Sequence, residues 1–77
     1  MTLRDMAVGD KGIVSGFQTG NKGYRKKLLA MGLTPGTAFS ITRYAPMGDP
    51  VEISVRGFAL SMRKDEAAAL LVEKVEK

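Results

Sequence analysis

The chain has 77 residues and a formal net charge of +4, from 12 basic and 8 acidic side chains, with no histidine and no cysteine. That is room for one domain, read here as residues 1–77, and a domain this short buries only about 60% of the surface its unfolded chain exposes. No disulfide or thiolate–metal site can reinforce so thin a core. The inventory also removes the commonest general base and leaves Ser15, Ser40, Ser54 and Ser61 without a histidine to activate them, so the chain is read as a binding module and not an enzyme. An apolar content of 44% and a mean hydropathy of −0.06 suit an ordinary globular domain. No apolar run approaches the roughly 18 residues a bilayer span needs. The start, Met1-Thr2-Leu3-Arg4-Asp5, lacks the basic-then-apolar pattern of a secretory signal, which makes the cytoplasm the expected compartment.

In chain order, residues 1–10 form a lead-in whose Leu3, Met6 and Val8 can pin it to a core. A first strand is predicted over 12–17, with Ile13, Ser15 and Phe17 on one face and Gly12, Val14 and Gly16 on the other. Glycines along one face predict a bend or a close backbone approach. The polar Gln18–Gly23 loop leads into a helix from Gly23 to Met31, where Tyr24, Leu28 and Met31 share one face. Gly32 is placed to end it in the left-handed conformation, with Leu33 supplying the accompanying apolar contact. Thr34-Pro35-Gly36 follows as a type II turn signature.

A second strand over 37–45 is expected to set Phe39, Ile41 and Arg43 against Ala38, Ser40, Thr42 and Tyr44. The Pro46-Met47-Gly48-Asp49-Pro50 loop joins it to a third strand over 51–56, and past Gly57 the residues Phe58, Leu60 and Met62 alternate as a fourth. Lys64–Leu70 is alanine-rich with Asp65 and Glu66 in its first turn, predicting a short helix. Leu71, Glu73 and Val75 then alternate along a closing edge strand. The fold class is therefore mainly β with short helices: a small five-stranded SH3-like or OB-like barrel, with one helix after the first strand and another before the last.

Chemistry-bearing motifs are few. The segment Gly16–Gly23 imitates a phosphate-binding loop, but three residues separate Gly16 from Gly20, Asn21 splits glycine from lysine, and Gly23 stands at the magnesium-ligand position. Nucleotide hydrolysis is excluded on that pattern. Metal chemistry is restricted to oxygen donors, the candidates being Asp49 and Glu52, which lie close in sequence beside a turn and could share a hard cation; no cofactor is required. Lys22, Arg25, Lys26 and Lys27 form one basic cluster on the predicted helix. It reads as a solvated face, as a contact for an acidic protein, or as a nucleic-acid patch, although the last lacks interleaved aromatics beyond Tyr24. Leu29 falls at or beyond the margin of the apolar stripe beside Arg25, and Met47 has no evident core position, so Tyr24, Arg25, Lys26, Leu29 and Met47 are the candidate partner contacts.

The run Leu28-Leu29-Ala30-Met31-Gly32-Leu33-Thr34-Pro35-Gly36-Thr37, followed by Ala45-Pro46-Met47-Gly48-Asp49-Pro50, resembles the FeoA family. The spacing of Arg25, Leu28, Met31 and Gly32, and the later Val55-Arg56-Gly57-Phe58 with Leu60, Met62 and Arg63, match it too, so that the likeness runs from about Leu3 to Val72. It makes Gly32, Pro35, Gly36, Pro46, Gly48, Asp49 and Pro50 the structural motif residues. The resemblance implies an SH3-like barrel in the cytosol that binds and modulates FeoB, a ferrous-iron transporter of the membrane with a cytoplasmic GTP-binding domain. The chain would reach the inner face of the membrane through that partner, without insertion of its own and without nucleic acid. A similar module ends the diphtheria-toxin-repressor-type metal regulators, which keeps a transition-metal-sensing module, with weak Fe²⁺ binding through carboxylates, as an alternative beside a basic nucleic-acid-binding barrel.

Overall fold

The computed structural model describes residues 1–18 and 22–75. The centre of the expected loop before the first helix, 19–21, and the side chain of Lys22 lie outside the described residues. A 3₁₀ turn at Leu3–Asp5 precedes β1 (Lys11–Phe17), α1 (Lys22–Ala30), β2 (Ala38–Tyr44), β3 (Val51–Val55), β4 (Phe58–Met62), α2 (Lys64–Ala69) and β5 (Leu70–Lys74). The strands make one antiparallel sheet in the order β4-β3-β2-β1-β5. The expected barrel, with its helix after the first strand and its short helix before the last, is the one observed.

Two β-bulges curl the sheet and alter which side chains reach the core. In β1 the register with β5 shifts between Val14 and Gly16; in β2 the register with β3 shifts between Ile41 and Arg43. An extra residue breaks the two-residue alternation and bends the strand. The predicted faces therefore hold only up to each bulge. Val14 is buried and Ile13 exposed, yet Phe17, expected on the Ile13 face, packs against the core opposite Leu70. Likewise Arg43, expected beside Phe39 and Ile41, turns outward to pair with Glu52 at 3.0 Å. Tyr44 takes the core side opposite Val51 and donates its hydroxyl to the Met6 carbonyl at 2.6 Å. In β5 the core residues are Leu70 and Val72, while Glu73 and, just past the end of the strand, Val75 are exposed.

Of the two glycines expected to bend β1, one has a steric reason to be glycine. A Cβ on Gly12 would lie 2.8 Å from the Phe39 ring and 3.0 Å from both the Glu73 carbonyl oxygen and the Met6 methyl. At Gly16 nothing lies within 4 Å.

The helix exit is built as its residues predict. Gly32 takes φ +88°, its N–H donates to the Leu29 carbonyl, and Leu33 N–H donates to the Leu28 carbonyl, each at 3.0 Å. This is a Schellman closure, with the side chains of Leu28 and Leu33 both fully buried. The next turn follows at once, with Gly36 at φ +92° and Thr37 N–H on the Thr34 carbonyl at 3.0 Å. It is stitched to β1 in both directions, Gly36 N–H donating to the Val14 carbonyl at 2.7 Å and Val14 N–H to the Thr37 carbonyl at 2.9 Å.

A second hold acts between the two helices. Glu66, 3% exposed, accepts Arg63 N–H at 2.9 Å and forms an ion pair with Lys27 of α1. Glu66 is thus more than a helix-start residue, and Lys27 is not part of a free basic cluster: it is committed to α2. Burial alone would raise the Glu66 pKa, but hydrogen bonds from Lys27 and Arg63 N–H, with the positive charges of both residues, outweigh it and hold the carboxyl below its ordinary value.

Two outcomes are expected. Gly32→Val places its Cβ more than 4 Å from any atom beyond its chain neighbours, so backbone strain at this positive φ dominates its cost, about 1–3 kcal/mol in chemical denaturation, with the folded spectrum kept. Glu66→Gln should lower stability at neutral pH by about 1–2 kcal/mol, because the Lys27 end of the pair is solvent-screened. Since the folded-state pKa is depressed, the wild-type contribution is complete above the unfolded value near 4.3 and disappears as pH falls through the folded one. Thermal melts from pH 7 to 3 should therefore show a shallower acid loss for Glu66→Gln, and identical slopes would contradict the assignment.

Candidate functional interface

The predicted contact residues fall into two groups on the flanks of α1. Tyr24 is half-buried against the core and, with Lys27, lines a polar cleft completed by Asp49 and the start of α2. In this cleft Asp49 Oδ1 accepts Lys64 N–H at 3.0 Å, capping α2 from the neighbouring loop. The loop turns through Gly48 at φ +81°, its Asp49–Pro50 peptide is cis, and it carries Met47, 91% exposed, near its apex. On the opposite flank Arg25 and Leu29 lie one helical turn apart, both exposed, Leu29 at 37%. Lys26 is exposed as well.

The carboxylates singled out as oxygen donors are each engaged with protein. Asp49 holds the α2 N-terminus, and Glu52 Oε2 pairs with Arg43 Nε at 3.0 Å. Among the described residues no group of three or more acidic side chains converges. Tyr44 likewise belongs to the scaffold: burial, ahead of the opposing field of Arg4, raises its pKa above the ordinary tyrosine value.

The most exposed aromatic residue is one that alternation places in the core. Phe58 is 73% exposed, at the start of β4. With Leu60 and Val55 it lines one side of a groove of about 330 Å³, and Met31 and Gly32 of the helix exit line the other. Phe58 does share a face with buried Met62, but it lies at the hairpin end of an edge strand, with buried Val55 of β3 on one side and, among the described residues, no strand on the other. Its place beside Arg56-Gly57 was the available signal. Those residues form a two-residue turn with φ of +52° and +85°, so Phe58 adjoins the tip of a hairpin.

Comparison with known proteins places this arrangement in a family. The FeoA domain model matches residues 1–74. An "Fe(2+) transport protein A/Fe(2+) transporter FeoB fusion protein" of Porphyromonas gingivalis is 30% identical over 73 residues, 95% of this chain; the chain spans 8% of that relative's length. The FeoA-like protein of Clostridium acetobutylicum, solved by NMR, is 38% identical with a TM-score of 0.91, over 100% of this chain and 88% of that one. For fold alone, the zinc complex of Stenotrophomonas maltophilia FeoA, described as a procaryotic SH3 domain protein, superposes with a TM-score of 0.81 at 22% identity, over 95% of this chain and 89% of its own. No helix among the described residues is long and apolar enough to cross a membrane. The barrel, the helix exit and the family match agree: this chain is a member of the FeoA family, with the SH3-like barrel its sequence implied.

Proposed function

We propose that this protein is a non-catalytic accessory component of ferrous iron uptake that binds the cytoplasmic part of a FeoB-type transporter and modulates it. One observation carries the reading: in the Porphyromonas gingivalis relative, a segment like this chain and a FeoB transporter belong to one polypeptide. Covalent linkage of two modules keeps one at a high effective concentration near the other, which is useful only if they meet. Iron is in this reading the cargo of the transporter.

The exposed flank of α1 supports the same reading. Arg25 and Lys26 offer charge for an acidic surface, and Leu29 offers an apolar contact between them and the helix exit. Binding energy at such interfaces concentrates in a few desolvated side chains, and a leucine one helical turn from Arg25 and Lys26 suits that role.

Leu29→Asp is expected to leave the circular-dichroism spectrum unchanged and to weaken transporter binding at least tenfold, measured by titration onto the purified transporter. Undiminished binding by the folded variant would remove this flank from the interface. Asp49→Ala separates a capping role from a metal role. It should cost about 0.5–2 kcal/mol in denaturation through loss of the α2 cap, whether or not Fe²⁺ is present. A stability gain from Fe²⁺ in the wild type that Asp49→Ala abolishes would instead establish a cation site.

A further inference from the structure

The hairpin strand β4 is an edge of a kind that natural sheets normally protect. Among the described residues it pairs with β3 alone. Exposed edges are usually blunted by inward charges, proline or a covering element, yet Phe58-Ala59-Leu60-Ser61-Met62 contains no charged residue and no proline. The turn at Arg56-Gly57 makes Val55 and Phe58 a hydrogen-bonded pair, so bonding to β3 alternates through Phe58, Leu60 and Met62. The backbone N–H and C=O of Ala59 and Ser61 therefore point away from β3. On one face of this edge lies the apolar groove of Phe58, Leu60, Val55 and Met31.

Both ends of the strand are basic: Arg56 precedes it, Arg63 and Lys64 follow, and none of the three forms a side-chain ion pair among the described residues. This charge distribution selects the occupant. A second copy pairing antiparallel over the whole strand, centred on Leu60, would bring the Arg56 turn of one copy beside the Arg63–Lys64 segment of the other, at both ends. Like charges brought together repel. A segment that is apolar at alternate positions and acidic at its ends meets no such penalty.

We propose that β4 is a strand-addition site, on which an extended segment of the transporter's cytoplasmic part, apolar at alternate positions and acid-flanked, adds as a sixth strand with its side chains in the Phe58–Met31 groove. The proposal rests on the accessory role proposed above. Main-chain bonds to Ala59 and Ser61 supply affinity, and the groove supplies specificity.

The test titrates purified full-length FeoB-type transporter in detergent against the wild-type chain, Phe58→Ala, Ser61→Pro and Lys64→Glu, with melting temperatures as folding controls. Ser61→Pro removes an outward N–H and no bond of the β3–β4 ladder. Phe58→Ala, at a side chain 73% exposed, leaves the core intact. The expected result is at least tenfold weaker binding for Phe58→Ala, and several-fold weaker for Ser61→Pro and Lys64→Glu. Equal binding by wild type and the folded variants would overturn the strand-addition site while leaving the accessory role standing. No binding by wild type would overturn both. A concentration-dependent dimer of the wild type that Ser61→Pro abolishes would make a second copy the occupant and overturn the assignment.

Discussion

At the end of α1 the Leu33 N–H donates to the Leu28 carbonyl around a Gly32 at φ +88°, and the chain then turns immediately through Gly36 onto the backbone of β1. That closure sets everything around it. It drops Leu28 and Leu33 into the core together, it starts β2 in register with β1, and it leaves Met31 at the rim, facing the β3–β4 hairpin. A side chain other than glycine at position 32 would resist the left-handed backbone on which all three depend. The buried Glu66 acts on the same helix from α2: its bond with Lys27 settles which flank of α1 turns toward α2 and which stays open to solvent.

These two holds explain why a domain with so little core presents a defined surface. The inserted helix cannot rely on many apolar contacts of its own, since Tyr24 and Met31 are only half-buried. Hydrogen bonds at its exit and a charge-assisted bond along its flank supply the orientation that packing alone would leave loose. Asp49 performs the parallel task for α2, reaching from the β2–β3 loop to its first free N–H. The Gly32–Gly36 exit and the Pro46–Pro50 loop, the two segments that carry the family likeness, are therefore the ones that fasten the helices to the barrel.

What could be read in the sequence follows from this division. The helix exit was legible because its conformations demand particular residues: glycine at two positive-φ positions and proline between them. The strands were legible as alternation. Their faces were legible only up to each bulge, since nothing in the residues around Ser15 or Thr42 announces an extra residue in the ladder. That is why Phe17, Arg43 and Tyr44 exchange sides relative to simple alternation. The Lys27–Glu66 pair joins elements 39 positions apart in sequence, a distance at which local patterns are silent. Leu29 and Met47 were found exposed because they failed to fit any periodic stripe. Phe58 did fit one and was hidden by it; its exposure comes from the tertiary fact that β4 ends the sheet.

In the proposed role, the binding surface of this small barrel is the helix α1 together with the open edge of β4 beside its exit. Hydrogen–deuterium exchange of the intact chain, with and without the purified FeoB-type transporter, tests that most directly. Slowed exchange in α1 and at Ala59 and Ser61 of β4, with β1 and β5 unchanged, is the predicted result. Protection confined to the β1–β5 side, or none anywhere, would contradict it.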